Sequence, residues 1–248
     1  MGSNFQLQFL CAQEMRKRLT VDVCIPCVHA HLQYLPECLK CLSGQLGDGD
    51  NVYVALSEDP NLTETIAEFL RFPIKVKLLS TSRKVLAGEN RNRAMAAGSG
   101  DILMFIDADD HTMPNKVRRV REEFEKYPEA AFVLHGQTGY GTHGKGSLRI
   151  DKGSQICMHC NGNCHLGHVS VRRSCFLPFP NLPMMEDEQF CLNLLNAGYT
   201  GRLIRQPLMT YNFRRSVMTR RFAILVTCAV VAVLLTFMYA KRRIKCAK

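Results

Sequence analysis

Acidic residues are absent from positions 214–248, where nine lysines and arginines occur. That absence accounts for the formal net charge of +10, because residues 1–213 hold 23 bases against 22 acids. A body so close to neutral offers no broad basic face, which excludes a nucleic-acid polymer as a partner. A secretory signal is lacking too. Residues 5–10 form a short apolar stretch broken by Gln6 and Gln8, with Arg16-Lys17-Arg18 after it rather than before it. Position 6 carries Gln where a myristoylation motif beginning at Gly2 wants Ser or Thr. Internal repeats and low-complexity segments are missing, and the composition excludes wholesale disorder. The 248 residues suffice for one large domain or two small ones.

What the sequence does contain is concentrated at Ile102-Leu103-Met104-Phe105-Ile106, which runs straight into Asp107-Ala108-Asp109-Asp110. The apolar run predicts a strand buried in the middle of a sheet. Its end places three carboxylates at the rim where open α/β sheets hold their ligands. Crowded like charges repel, and a divalent cation with oxygen-seeking chemistry, Mg²⁺ or Mn²⁺, is their natural partner. Asp-rich stretches also cap helices and solvate turns, and Pro114 with Lys116 predicts a helix nearby.

The tail has its own logic. Residues 222–240 form a run of 19 without a charge, about 28 Å long as a helix. Apolar side chains surround that helix, and basic clusters bracket it, so a membrane span is expected rather than a buried core helix. The expected division is a domain at 1–212, a basic juxtamembrane linker at 213–221, a transmembrane helix at 222–240 and a basic tail at 241–248. The simplest topology is single-pass with a cytosolic body, although the positive-inside rule does not favour moving residues 241–248 across.

Twelve cysteines invite two readings. Cys24-x-x-Cys27 and Cys38-x-x-Cys41 have the spacing of a four-thiolate zinc site. Their setting, a core strand and the apolar face of a helix, instead suits cysteine as a small hydrophobe. Cys157, His159, Cys160, Cys164, His165 and His168 form a second cluster in a Gly-rich loop, either a metal site or incidental thiols. A cytosolic body would keep its thiols reduced, so no disulfide framework is expected.

Hydrophobic periodicity predicts an amphipathic lead-in at 1–19 and strands at 21–25 (stopped by Pro26), 51–56, 74–79, 102–106 and 131–135. Helices are expected at 35–46, 62–71, 88–98 and 114–127. Loops or hairpins at 136–167, a helix at 185–197 and a strand at 203–211 complete the reading. The alternation implies a mostly parallel, Rossmann-like sheet flanked by helices.

Five segments occur in a telling order: Val21-Asp22-Val23-Cys24-Ile25-Pro26; Gly88-Glu89-Asn90-Arg91-Asn92-Arg93-Ala94; the Asp-rich strand end; Gly167-His168-Val169-Ser170-Val171-Arg172-Arg173; and Met185-Glu186-Asp187-Glu188-Gln189-Phe190. In this the sequence resembles the family 2 glycosyltransferases, over about residues 21–211. The resemblance implies the α/β GT-A fold and a metal-dependent, inverting transfer from a nucleotide-sugar donor to a hydroxyl on a glycan, lipid or protein acceptor. It implies that Asp107 and Asp109 hold the donor nucleotide and its Mn²⁺ or Mg²⁺, with Asp109 the direct ligand, and that Pro26 and Arg91 line the nucleotide side. It further implies that Asp187 is the base, with Glu186 beside it. His168 is a candidate for the acceptor site, and equally an ordinary loop histidine.

Independent chemistry agrees: a leaving diphosphate needs a Lewis acid, and an acceptor alcohol needs a carboxylate to take its proton. Acids at 186–188 would also be explained by the helix dipole alone. The chain departs from the family where relatives end the second strand in paired aspartates. Here Val54-Ala55-Leu56-Ser57-Glu58-Asp59 leaves Ser57 or Glu58 as the substitute. Two alternatives remain at this level, a zinc-stabilised binding module built on the cysteine pairs and a sugar nucleotidyltransferase. The latter would show a Gly-rich, basic phosphate loop after the first strand, which residues 27–33 lack. A catalytically dead scaffold is argued against by the retained acids at 107, 109 and 187.

Overall fold

The computed structural model describes residues 18–69, 74–139, 148–150, 155–158 and 166–212. All of them belong to one unit, Met1–Asn212. Residues 1–17 of the lead-in expected at 1–19, the cysteine-histidine cluster from 159 to 165, and the linker, span and tail from 213 onward lie outside the described residues. Among the described residues no helix is long and apolar enough to cross a membrane.

The elements are β1 (Val21–Val28), α1 (Leu35–Leu42), β2 (Asn51–Ser57), α2 (Leu62–Phe69), β3 (Val76–Ser80), α3 (Ala87–Ala96), β4 (Ile102–Phe105), β5 (His111–Thr112), α4 (Lys116–Lys126), β6 (Phe132–Gly139), β7 (Leu148–Ile150), β8 (Gln155–Met158), β9 (Ser170–Arg172), α5 (Glu186–Asn196) and β10 (Gly201–Tyr211). One sheet runs β3-β2-β1-β4-β9-β6-β10-β8-β7, with β5 paired to β10. Its first half is parallel, as the βα alternation predicts. At β9 the sheet turns antiparallel on both sides, and parallel pairing returns between β6 and β10, so the sheet is mixed where a mostly parallel one is expected. Three-residue β9 and two-residue β5 are too short for periodicity to reveal; long-range pairing alone defines them.

Alternation along the strands divides the core between two faces. Val21, Val23, Ile25, Val52, Val54, Ile102, Met104 and Ile106 pack with α1 and α4. Cys24, Tyr53, Leu103, Phe105, Phe132 and Leu134 pack on the other face with Phe190 and Leu194 of α5. The same alternation overturns the four-thiolate reading. Cys24 and Cys27 are three apart on a strand, so they point to opposite faces. Among the described residues the cysteine pairs form no metal-capable cluster.

Pro26 does not stop β1, which continues to Val28. The β4 ladder on β1 ends at Cys24–Phe105, and Cys24 C=O accepts from Ile106 N–H on that side. Two residues further on, Pro26 turns its missing donor to the same, no longer paired side, so no ladder bond is lost. Helix α1 is shorter than expected: it ends at Leu42, and Gly44 takes up φ +77°, where L side chains are strained.

Candidate active site

The acids come together at the carboxyl ends of β1 and β4. Beyond β4 the chain turns, with Asp110 N–H donating to Asp107 C=O at 3.2 Å. Asn212, just past β10, fastens this turn from outside. Its N–H donates to Asp110 Oδ1 at 2.8 Å, and its amide nitrogen donates to Asp109 C=O at 2.9 Å. From inside, Asp107 N–H donates to His168 Nε2 at 3.1 Å, and the same nitrogen lies 3.1 Å from Asp110 Oδ2. Behind the imidazole, Lys116 Nζ approaches Nδ1 to 2.8 Å. Lys116, His168 and Asp110 are all buried. Burial pushes the lysine down to about 7, against the upward pull of Asp110, Cys38 and Asp107.

Arg91 links the two acidic clusters. It projects from α3, is 3% exposed, and donates to Asp107 Oδ1 at 2.7 Å and to Glu186 Oε1 at 2.6 Å. Burial alone would lower its guanidinium; Asp107, Glu186 and Asp187 outweigh that and hold it charged. Its Nε is buried and has no hydrogen-bond partner among the described residues. Asn92, on the next turn position, grips Phe179 through both backbone groups: it donates to the C=O at 3.0 Å and accepts the N–H at 2.9 Å. The Phe179 ring stacks on Phe190 of α5 at 3.9 Å and 10°, an arrangement that contributes about 1 kcal/mol beyond area burial. Gly88 completes the fit, because a Cβ there would meet Pro180 O at 2.7 Å. Helix α3 thus holds the start of α5, and with it Glu186 and Asp187, against the Asp107 turn.

At that start, Met185 is left-handed (φ 62°), and three acids fill the first turn of α5. They complement the helix dipole. Asp187 Oδ1 accepts Glu188 N–H at 2.9 Å. A cavity of about 250 Å³ opens between the clusters, lined by Pro26, His31, Arg91, Asp107, Asp109 and Glu186 among others. A larger one, about 1160 Å³, lies against α4 and contains none of these acids. Its arginines at 118 and 121 are already paired with Glu122 and Asp50.

Two donor sets suit a cation. Asp107, Asp110 and His168 offer atoms within 4.8 Å of one another. Asp110 and His168, however, are enclosed and already engaged by Asn212, Lys116 and the Asp107 backbone. Asp107 and Asp109 line the cavity. Burial, then the charges of Asp107 and Asp110, push the Asp109 carboxyl up, a crowding that a divalent ion would relieve. The cavity-facing pair therefore fits Mg²⁺ or Mn²⁺, whose hard chemistry takes carboxylates together with phosphate oxygens.

Pro26, Arg91, Asp107, Asp109 and Glu186 thus converge on one cavity. Asp187 stands half-buried beside it on α5, and Glu58 stands apart. Glu58 is left-handed (φ 58°), and its carboxylate lies 3.4 Å from Lys84. Ser57 is buried and accepts from Asn90 at 3.0 Å. Asp59 is consumed by Ser80 and Thr65. His168 is corrected most: it lies wholly buried behind the Asp107 turn, where an acceptor has no access. Sequence reasoning missed Lys116, Asn212 and His31. The charge of Lys116 resembled that of any surface helix, and Asn212 acquires its role only through β10. Tyr211 was missed as well; burial first, then Asp110, Asp107, Asp109 and Asp187, push its hydroxyl up, which puts it beside both clusters.

Comparison with known proteins agrees with this geometry. The family model for Glycosyl transferase family 2 matches residues 22–167. An uncharacterized glycosyltransferase of Haemophilus influenzae is 25% identical over 196 residues, 73% of this chain and 65% of that protein. The O-antigen biosynthesis protein RfbC of Myxococcus xanthus is 26% identical over 147 residues, 57% of this chain and 12% of that protein. The chain therefore spans less than two-thirds of either relative. Among solved structures, S. aureus TarS 1–349 in complex with UDP-GlcNAc aligns with a TM-score of 0.62 at 17% identity, covering 80% of this chain and 60% of that one. The mannosyltransferase PcManGT from Pyrobaculum calidifontis, in complex with GDP-Man and Mn²⁺, aligns at 0.60 and 13% identity, covering 87% and 66%. At such identities the likeness is one of fold, an α/β GT-A-like fold with a mixed sheet.

Proposed function

The chain belongs to glycosyl transferase family 2, and from that premise we propose that it is a metal-dependent, inverting glycosyltransferase. It moves a sugar from a nucleotide-sugar donor to a hydroxyl acceptor at a membrane. One observation carries this reading: a single buried arginine joins the Asp-x-Asp turn to the Glu-Asp helix start across a cavity. Donor and acceptor chemistry need two acidic stations at a fixed separation, and Arg91 sets it.

Asp187 takes the proton of the acceptor hydroxyl as its oxygen bonds to the anomeric carbon and the bond to the diphosphate breaks. Glu186 is held by Arg91 and positions the helix start; its neighbour does the proton transfer. Arg91 lines the cavity and brings positive charge to the donor side. Asp107 and Asp109 would hold Mn²⁺ or Mg²⁺, which would supply Lewis-acid neutralisation of the leaving diphosphate. Donor complexes of structurally similar proteins with UDP-GlcNAc and GDP-Man support the donor class. The uncharged run at 222–240 supports a single-pass anchor.

The test incubates the full chain with UDP-GlcNAc or GDP-Man and Mn²⁺, following release of the nucleoside diphosphate. Release should require the metal and vanish in Asp109→Ala with the fold intact. Full activity in excess chelator, or unchanged turnover in that variant, refutes the metal-dependent mechanism.

A further inference from the structure

Lys116, His168 and Asp110 form a buried polar cluster behind the Asp107 turn, and no step of the transfer uses it. For stability alone a lysine at this depth is a poor choice, because apolar residues of similar volume commonly replace buried charged groups without loss. The cluster is centred on one imidazole. That ring is set beside the end of β4, where Phe105 N–H donates to Val169 C=O at 3.1 Å. His135 packs edge-on against it, with ring centres 6.1 Å apart and planes at 89°. Its Nδ1 meets Lys116 Nζ at 2.8 Å, and its Nε2 lies 3.1 Å from both Asp107 N and Asp110 Oδ2.

The Asp107 N–H is aimed by the backbone and cannot turn away, so Nε2 must offer it a lone pair. A proton on Nε2 would serve Asp110 and set two donors face to face. Asp110 does not depend on that proton, since its Oδ1 accepts Asn212 N–H at 2.8 Å. A neutral imidazole with a bare Nε2 carries its proton on Nδ1, and Lys116 Nζ stands where that N–H donates. Burial holds the lysine at about 7, which leaves its amine free to accept above that pH. The bond governs a residue that lines the cavity. Arg91 grips the Asp107 carboxylate at 2.7 Å while His168 grips its backbone, so one residue is fixed at both ends. Hard divalent ions tolerate little drift in their carboxylates, Mg²⁺ least of all.

We propose that Lys116 and His168 are positioning residues for the Asp107–Asp109 pair: Lys116 accepts from Nδ1–H, and Nε2 thereby holds the Asp107 backbone where its carboxylate meets the divalent ion. This rests on the metal-dependent transferase reading above. The experiment uses the full chain at pH 8 with ¹⁵N-labelled histidine, His168 being assigned by its absence from the spectrum of His168→Gln. Nitrogen shifts should show Nδ1 protonated and Nε2 bare. Mn²⁺ binding is followed by electron paramagnetic resonance, alone and with UDP-GlcNAc or GDP-Man. Lys116→Met and Lys116→Arg offer Nδ1–H no acceptor, and each should weaken Mn²⁺ binding about tenfold or more. Lys116→Gln, whose side-chain carbonyl accepts, should recover most of that loss. A merely structural lysine predicts the other order, with methionine the best tolerated. A protonated Nε2 in the native chain, unchanged Mn²⁺ binding in Lys116→Met, or glutamine rescuing no better than arginine would overturn the proposal. Failure of the unsubstituted chain to bind Mn²⁺ under all three conditions refutes the metal-dependent reading; intact binding with the wrong tautomer sinks only the positioning role.

Discussion

Lys116 Nζ lies 2.8 Å from His168 Nδ1, with both side chains fully buried behind the Asp107–Asp110 turn. A lysine held at about 7 in the fold and at its ordinary 10.5 when unfolded ties stability to pH. Between these values the unfolded chain binds the extra proton, so stability rises with pH across the window. Below pH 7 both states carry the charge, and the whole cost of burying it is felt. The unfolding free energy of the native chain should therefore gain on that of Lys116→Met by on the order of 2 kcal/mol from pH 7 to pH 9. Denaturant titrations at the two pH values measure it, and parallel curves would count against a neutral buried amine.

Arg91→Met removes the only cation shared by Asp107 and Glu186 among the described residues. Breaking a buried pair by deleting one partner costs about 3–5 kcal/mol. Both carboxylates reach solvent, so the low end is expected, together with a loss of transfer of at least a hundredfold. Arg91→Lys should recover less than half the lost stability, because one ammonium cannot engage both carboxylates as a planar fork does. Denaturation midpoints and initial rates decide; full rescue by lysine would mean the fork is unimportant.

Asp187→Asn preserves size and removes proton-accepting power. It should lower kcat by several orders of magnitude and leave donor KM nearly unchanged. Glu186→Gln should be the milder lesion in kcat and the worse one in stability, since it exchanges a 2.6 Å ion pair with Arg91 for a neutral contact. If the kinetic order is reversed, the base has been misassigned.

Cysteine chemistry gives a check on the packing. Burial pushes the Cys27 thiol up to about 12, and those of Cys24 and Cys38 higher still. These three should resist a thiol-reactive dye until the protein unfolds. Stoichiometric zinc bound to the purified chain, or their rapid labelling under native conditions, would contradict a role as core residues.

The tail prediction concerns compartment. The full chain should sediment with membranes and resist carbonate extraction. Asn61-Leu62-Thr63 is an acceptor sequon whose asparagine is exposed. With a cytosolic body it should stay unmodified, and a glycan at Asn61 would reverse the topology.

Legibility was uneven along the chain, for physical reasons. The parallel strands β1, β2 and β4 could be read because burial on both faces demands unbroken apolar runs, and the acids at 107, 109, 186 and 187 stood out as carboxylates clustered at element ends. The cysteine pairs were legible from their setting, a core strand and an apolar helix face, and not from their spacing, which carries no record of which face a strand residue takes. His168 misled because a Gly-rich neighbourhood suggests a surface loop, whereas its 3₁₀ turn lies under the Asp107 backbone. Local sequence by itself determined the βα alternation and the two acidic stations. Their union through Arg91, the Asn92 grip on Phe179, the Asn212 latch and the burial of Lys116 were decided by tertiary structure. Each joins residues between 16 and 103 positions apart, and partners so distant are chosen by the packing of the whole sheet rather than by any local preference.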